Sequence, residues 1–389
     1  MNTSLTRWLI YVISVILVID CGNNKSIYEG IENRSMGKTL AIEKLVADSV
    51  FCPGLMTSMT GQWCLRDSEL IYLDRYIVGI KHFSLEGEFL GETVSHGRGP
   101  GEVLGTAWSS TWSEEEEKLY VNDSNLSLQV FDNRDSLMLY TEYSWILLMD
   151  NGFDANIWKN RMKSPDLTEP QIYDYNFNCE KICSYKGYLY FPVIAEHPKI
   201  NGYETGHGAK KYWKEAGTLI SFSPDSISST IKLMGAYPEL YRRKNIPVFA
   251  TYDFFVLNES IHIAFAADPR IFVTDLNGNP LYSYGEAADG VKLVYPQTST
   301  INEYDRVFES QRLKYGHYCR LSKAGGYVFR TLLTDSGQWL MQVYKDDTLI
   351  KVLDCGSDLK IIGYRNGYFF ADAGADFKKE RFVIIKFKI

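Results

Sequence analysis

The chain has 389 residues, 45% of them hydrophobic and 23% charged, which is enough apolar material for a large core and too much for a disordered chain. Its 41 Lys and Arg against 48 Asp and Glu leave a net charge of −7, and no basic run exceeds Arg242–Lys244, which argues against a nucleic-acid partner. The 27 Tyr and 20 Phe favour β structure, because aromatic rings fit a pleated, half-buried surface.

The first element is a leader. Arg7 precedes an apolar run from Trp8 to Ile19, interrupted only by Ser14, too short to span a bilayer and of the length of a secretory signal core. Cys21 follows immediately, with Val18 and Ile19 suiting a bacterial lipoprotein signal and Asp20 standing where a small residue is usual. Residues 1–21 are therefore expected to be a lipoprotein-type signal with Cys21 as the lipidated residue, the alternative being an uncleaved anchor. Residues 22–37 are expected to be a tether, and residues 38–389 the folded domain.

An orphan strand, Lys38–Val46, comes next, and then a unit that recurs: a short apolar strand, a polar turn, a second strand, a turn of Asp, Asn, Gly or Ser, and a third strand. Copies begin near residues 69, 118, 187, 260, 326 and 367. Six hairpin-connected units of this kind predict an all-β, six-bladed β-propeller, with a pair of β-sandwiches as the alternative that leaves the repeat unexplained. The last copy ends the chain without an outer strand, so the amino-terminal strand is expected to complete the last blade and close the ring.

Between the first two copies lies "HGRGPGEVLG", His96 to Gly105. A phosphate loop needs backbone N–H groups converging at a helix start. Pro100 lacks the central N–H, the glycines run GxGxG, and the stretch from Glu102 to Trp112 reads as sheet. The glycine segment is therefore expected to be a blade-to-blade crossover from which Arg98 and Glu102 project. The connections Asp150–Asn178 and Glu196–Glu215 are unusually long, and long loops on a rigid scaffold commonly carry binding surfaces. Tyr203, His207, Tyr212 and Trp213 in the second of these join Arg98 and Glu102 as candidate ligand-binding residues, since amphipathic rings beside polar groups suit peptide or sugar recognition. Deleting Glu196–Glu215 is expected to spare the fold and weaken partner binding.

Outside the leader there are six cysteines, and free, buried thiols are expected for most of them; Cys179 and Cys183, four apart in an expected strand, are too distant to bridge. "LLTDSGQW", Leu332–Trp339, departs from a sialidase Asp-box in the position of its tryptophan and reads as a hairpin turn. None of the HExxH, GxSxG or DxDxDG signatures occurs, and the six histidines form no metal-ligand spacing.

"GRGPGE" behind a lipoprotein-like leader resembles the six-bladed, TolB-like propeller lipoproteins abundant in Bacteroidetes, relatives in architecture of the NHL propellers. The resemblance covers about Lys38 to Ile389 and implies an exported, membrane-tethered ring, but no reaction. The absence of acidic residues in "GNNKS" after Cys21 implies a cell-envelope anchor facing the periplasm rather than the surface. The reading is a non-enzymatic binding scaffold for a protein, peptide or glycan, with no catalytic, cofactor or metal residues assigned. The alternative is a lactonase-like or lyase-like propeller enzyme with a metal in the central channel, its carboxylates drawn from near Ala250–Phe255.

Overall fold

The computed structural model describes residues 26–97, 99, 102–103, 105–113, 115–124, 127–132, 138–144, 166–176, 178–179, 181–195, 197, 199–203 and 205–389. The repeat folds as six antiparallel sheets. Their first strands, Gly61–Arg66, Ala107–Ser113, Cys183–Tyr185, Tyr252–Leu257, His317–Ala324 and Lys360–Arg365, each touch the next and the last touches the first, so the ring is closed. The protein is a six-bladed β-propeller. Tight turns set the register. At Lys186–Gly187, Asp346–Asp347 and Asn366–Gly367 both central residues have positive φ, the geometry whose twist matches that of the flanking strands.

Closure uses a strand further along than expected. Ala47–Pro53, not Lys38–Val46, pairs antiparallel with Arg381–Phe387 and completes blade six. The earlier segment gives Ile42–Lys44, which lies parallel to Val352–Asp354 as a fifth strand on the rim of blade five. The sequence misled because an outer strand has one face in water: Asp48 and Ser49 precede the buried Cys52, whereas the more apolar run upstream is only an edge addition.

Part of the expected tether is also structured. Ser26 is buried and its hydroxyl donates to the Tyr237 carbonyl at 3.2 Å, while the Tyr28 ring stacks on Phe272 at 4.3 Å. Glu32–Asn33 pair in parallel with Tyr282–Ser283 on blade four. Residues 26–53 thus form a belt over blades four, five and six, because each outer strand offers unpaired backbone groups that the segment satisfies.

Blades pack face to face through large rings. Trp63 of blade one meets Phe382 of blade six edge-on at 5.1 Å, and Tyr284 of blade four meets Tyr344 of blade five at 5.6 Å. At the interface of blades four and five, Arg330 is fully buried. Its guanidinium donates to the carbonyls of Pro269 and Glu286, to the Gln342 side-chain oxygen and to the Tyr344 hydroxyl, and lies 4.1 Å from the Tyr318 ring centre. Among the described residues no carboxylate lies within ion-pair distance of it.

Because strands alternate in direction, the turns joining first to second and third to fourth strands lie on one side of the ring, and the remaining connections lie on the other. The connection side carries three helices, α1 (His207–Glu215), α2 (Glu239–Arg243) and α3 (Ile301–Gln311). These form a cap over blades three to five. None of the helices among the described residues is long and apolar enough to cross a membrane.

Two buried histidines give the ring a pH dependence. Burial pushes His262 and His317 down to about 4; His262 stacks on Phe255, and the His317 Nδ1 faces the Tyr315 carbonyl at 2.8 Å. Both stay neutral in the folded state at pH values where the unfolded chain, near the ordinary 6.5, takes a proton. Their contribution is therefore complete above about pH 6.5 and is lost as pH falls towards 4, on the order of 3 kcal/mol for each. Replacing both by glutamine is expected to shrink the difference in urea midpoint between pH 7.5 and pH 5; an unchanged difference would place the protons elsewhere.

Candidate functional site

The two mouths of the ring differ in what fills them. On the connection side, the ends of the inner strands of blades three to six and the residues just before them bring together Lys181, Asp253, Arg320, Asp358 and Lys360, with Asp372 opposite Lys360 on the second strand of blade six. Lys181 contacts Asp253 at 3.0 Å and donates to the Leu321 carbonyl at 2.9 Å. Burial works against the Lys181 charge, but the Asp253 carboxylate outweighs it and the Lys181 pKa is raised. Arg320 contacts Asp358 at 3.0 Å, where the carboxylate likewise outweighs burial. Burial, reinforced by Arg320, lowers Lys360, and burial raises Asp372, which accepts from the Gly374 N–H at 2.8 Å.

Asp253 is the carboxylate offered by the Ala250–Phe255 segment. Besides Lys181, it accepts the N–H groups of Phe254 at 2.7 Å and Leu321 at 2.8 Å, so its oxygens already serve to hold blades three, four and five together. Among the described residues no three His, Cys, Asp or Glu side chains are grouped as a metal site.

The opposite mouth, ringed by tight turns, is open. A cavity of about 430 Å³ lies there mainly between blades one and two, lined among others by Arg66, Trp112 and Glu115 and reaching Tyr185 and Lys186 of blade three and Lys323 of blade five. The Arg66 guanidinium lies 4.3 Å over the Trp112 ring, a stacking that orients it at little entropic cost. Lys186 pairs with Glu259, which raises the lysine and lowers the carboxyl. Lys323 also borders a second hollow of about 860 Å³ between blades four and five, where Glu259, Asp346 and Asp347 supply negative charge.

The expected binding residues that are described lie away from this mouth. Glu102 turns back into its own crossover, where its carboxylate accepts the Gly99 N–H at 2.5 Å, so the glycine stretch cradles a carboxylate of its own. Cys21 and Arg98 fall outside the described residues, and His207 opens α1 with its side chain likewise undescribed. Tyr203 sits half-buried, edge-on to Tyr304 at 4.6 Å. Tyr212 and Trp213 are corrections to the sequence reading, being 1% and 3% exposed. The Trp213 Nε1–H donates to Asn245 at 2.9 Å and its ring stacks on Tyr241 at 5.6 Å, which makes these two side chains core of the cap rather than a ligand face.

Other expectations fare differently. All six described cysteines are free, although Cys179 lies in a turn before the inner strand that Cys183 opens, not in the same strand. Thr334–Gln338 is a hairpin turn as read, closed by the Thr334 N–H to the Gln338 carbonyl at 2.9 Å.

The residues lining the open mouth were missed, yet a signal for them exists. The first turn of a copy carries or follows a cation at Arg66, Lys186, Lys323 and Arg365, in "LRDS", "YKGY", "SKAG" and "YRNG". Blades two and four carry carboxylates there instead, Glu115–Glu117 and Glu259. Comparing the same turn across copies, rather than seeking the longest loops, picks out this face.

No family model matches the chain, and no curated protein matches it in sequence. Solved structures match in shape. A member of the DUF4221 family from Bacteroides vulgatus superposes with a TM-score of 0.64 at 13% identity, covering 89% of this chain and 98% of that one. The chain shares its fold. A protein from Bacteroides fragilis described as a putative exported protein superposes with a TM-score of 0.52 at 10% identity, over 92% of this chain and 98% of its own. The resemblance to Bacteroidetes propellers inferred from "GRGPGE" is thus met at the level of architecture.

Proposed function

We propose that this chain is an exported propeller, lipid-anchored through Cys21, that acts as a non-enzymatic binding scaffold and grips an anionic segment of a peptide, protein or glycan at the turn-lined mouth. The observation that carries this reading is the 430 Å³ cavity, in which a ring-stacked Arg66 and Lys323 face aromatic walls from Trp112 and Tyr185. Such a wall supplies contact area while the cations choose the charge of what enters. Export is supported by the apolar leader and by the description of the Bacteroides fragilis protein.

A ligand that binds only the folded state raises its melting temperature, so the full chain in detergent is screened against acidic peptides, uronate oligosaccharides, their neutral counterparts and divalent cations. Acidic ligands are expected to shift the transition, and Arg66→Ala with Lys323→Ala to weaken binding at least tenfold with little change in the unliganded transition. A shift by neutral ligands alone, or one insensitive to both substitutions, would move the site elsewhere. A cation shift abolished by chelator would favour a metal-dependent enzyme.

A further inference from the structure

We infer that the helical cap rests on the anionic headgroups of the membrane that carries the chain, through the basic side chains of α1 and α2, so that the turn-lined mouth faces away from that membrane. This inference rests on the amino-terminal anchoring proposed above.

The first line of argument is chain length. Ser26 is held against Tyr237, two residues before α2, and Tyr28 is buried beside Phe272. Only residues 22–25 separate Ser26 from Cys21, and five peptide steps reach at most roughly 18 Å even when fully extended. With the leader retained instead, its apolar run ends at Ile19 and the reach grows by only two residues. Either anchor keeps the cap side of the ring close to the headgroups. The turn-lined mouth lies farther off by about the length of a six-residue strand, roughly 20 Å.

The second line is charge. In a chain of net charge −7, α1 carries Lys210, Lys211 and Lys214, and α2 carries Arg242 and Arg243 followed by Lys244. The two helices are joined by Arg242, whose guanidinium donates to the carbonyls of Trp213 and Lys214 at 3.3 and 3.2 Å. The third cap helix, α3, carries Glu303, Asp305 and Glu309 against Arg306, so the basic face is confined to α1 and α2, where four carboxylates among the described residues stand nearby. Glu215 faces Lys211 at 3.9 Å, Glu239 faces Arg243, and Asp166 and Glu29 lie within electrostatic reach of Lys211 and Arg242. Lys210 and Lys214 are exposed and, like Lys244, make no ion pair among the described residues. A basic residue near an anionic surface raises membrane affinity roughly fivefold, and a basic patch adds to a lipid-modified cysteine an attraction that fixes which face meets the membrane.

The test places a photocrosslinking residue at position 214 or at position 186 of the full chain, reconstituted in phosphatidylcholine vesicles with or without phosphatidylglycerol. Lipid adducts are expected from position 214 and at least fivefold fewer from position 186. Lys210→Glu with Lys244→Glu is expected to lower the yield at position 214 several-fold in the anionic vesicles. Equal yields at both positions, or a yield at 214 indifferent to phosphatidylglycerol and to charge reversal, would overturn the inference. Intact mass of the purified chain reads acylation separately: a bare Cys21 would sink the lipid anchor while the crosslinks still report the orientation.

Discussion

Replacing Arg330 by methionine is expected to destabilise the ring by about 3 kcal/mol, seen as a lower urea midpoint at unchanged slope. The volume is nearly conserved, so the loss does not come from a cavity. It comes chiefly from the Pro269 carbonyl, which stays buried after its donor has gone, and from a thinned network among the described residues, in which the Glu286 carbonyl keeps only the Gln342 Nε2–H, the Gln342 oxygen only the Tyr344 hydroxyl, and the Tyr344 hydroxyl only the Glu286 N–H. Removal of a desolvated charge offsets part of this. Adding Gln342→Leu and Tyr344→Phe to Arg330→Met is expected to deepen the loss, because the Glu286 carbonyl and N–H then lose the Gln342 amide and the Tyr344 hydroxyl as partners. Arg330→Lys keeps the charge but not the planar fork, and is expected to fall between the native protein and the methionine variant. Native-like stability of Arg330→Met alone would show that these bonds contribute little to joining blades four and five.

The features that the sequence disclosed and those that it concealed differ in the range of the interactions involved. The six blades were legible because alternation and turn residues are local, and each copy repeats them within a few dozen residues. Ring closure was legible as a need, since the last copy lacked an outer strand. The choice between Lys38–Val46 and Ala47–Pro53 was not, because it depends on pairing across more than 300 residues with Arg381–Phe387. The candidate site obeyed the same rule. Glu102 stands in a conspicuous glycine stretch, but its partner is Gly99 in the same loop. Arg66, Tyr185 and Lys323 lie in three different copies, and only the circular arrangement of inner strands brings them to one cavity. Arg330 gave no signal at all, for its partners come from blade five and from two connections of blade four.

Deletion of Glu196–Glu215 is expected to abolish cooperative folding, the reverse of what its length and polarity suggest. The segment includes α1, and α1 delivers Tyr212 and Trp213 into a cluster with Tyr237 and Tyr241 that continues through Tyr252 and Phe265 into the face of blade four. Without it those rings meet water, and the Asn245 side-chain oxygen loses the Trp213 N–H that it accepts. Trp213→Ala isolates the effect. Truncation of a buried tryptophan costs about 3–5 kcal/mol, and this one also removes an indole hydrogen bond. Tyr203→Ala, at the half-buried rim against Tyr304, is expected to cost only about 1 kcal/mol. Thermal unfolding followed by near-ultraviolet circular dichroism separates the possibilities, because it reports the packing of these rings. A cap that is core shows a lower transition for Trp213→Ala and loss of the aromatic signal on deletion. A cap that is a ligand face shows native transitions in both and a defect only when a partner is added. The 3% exposure of Trp213 decides which is expected: a ring with almost no surface has nothing to offer a ligand, and its energy is already spent on the fold.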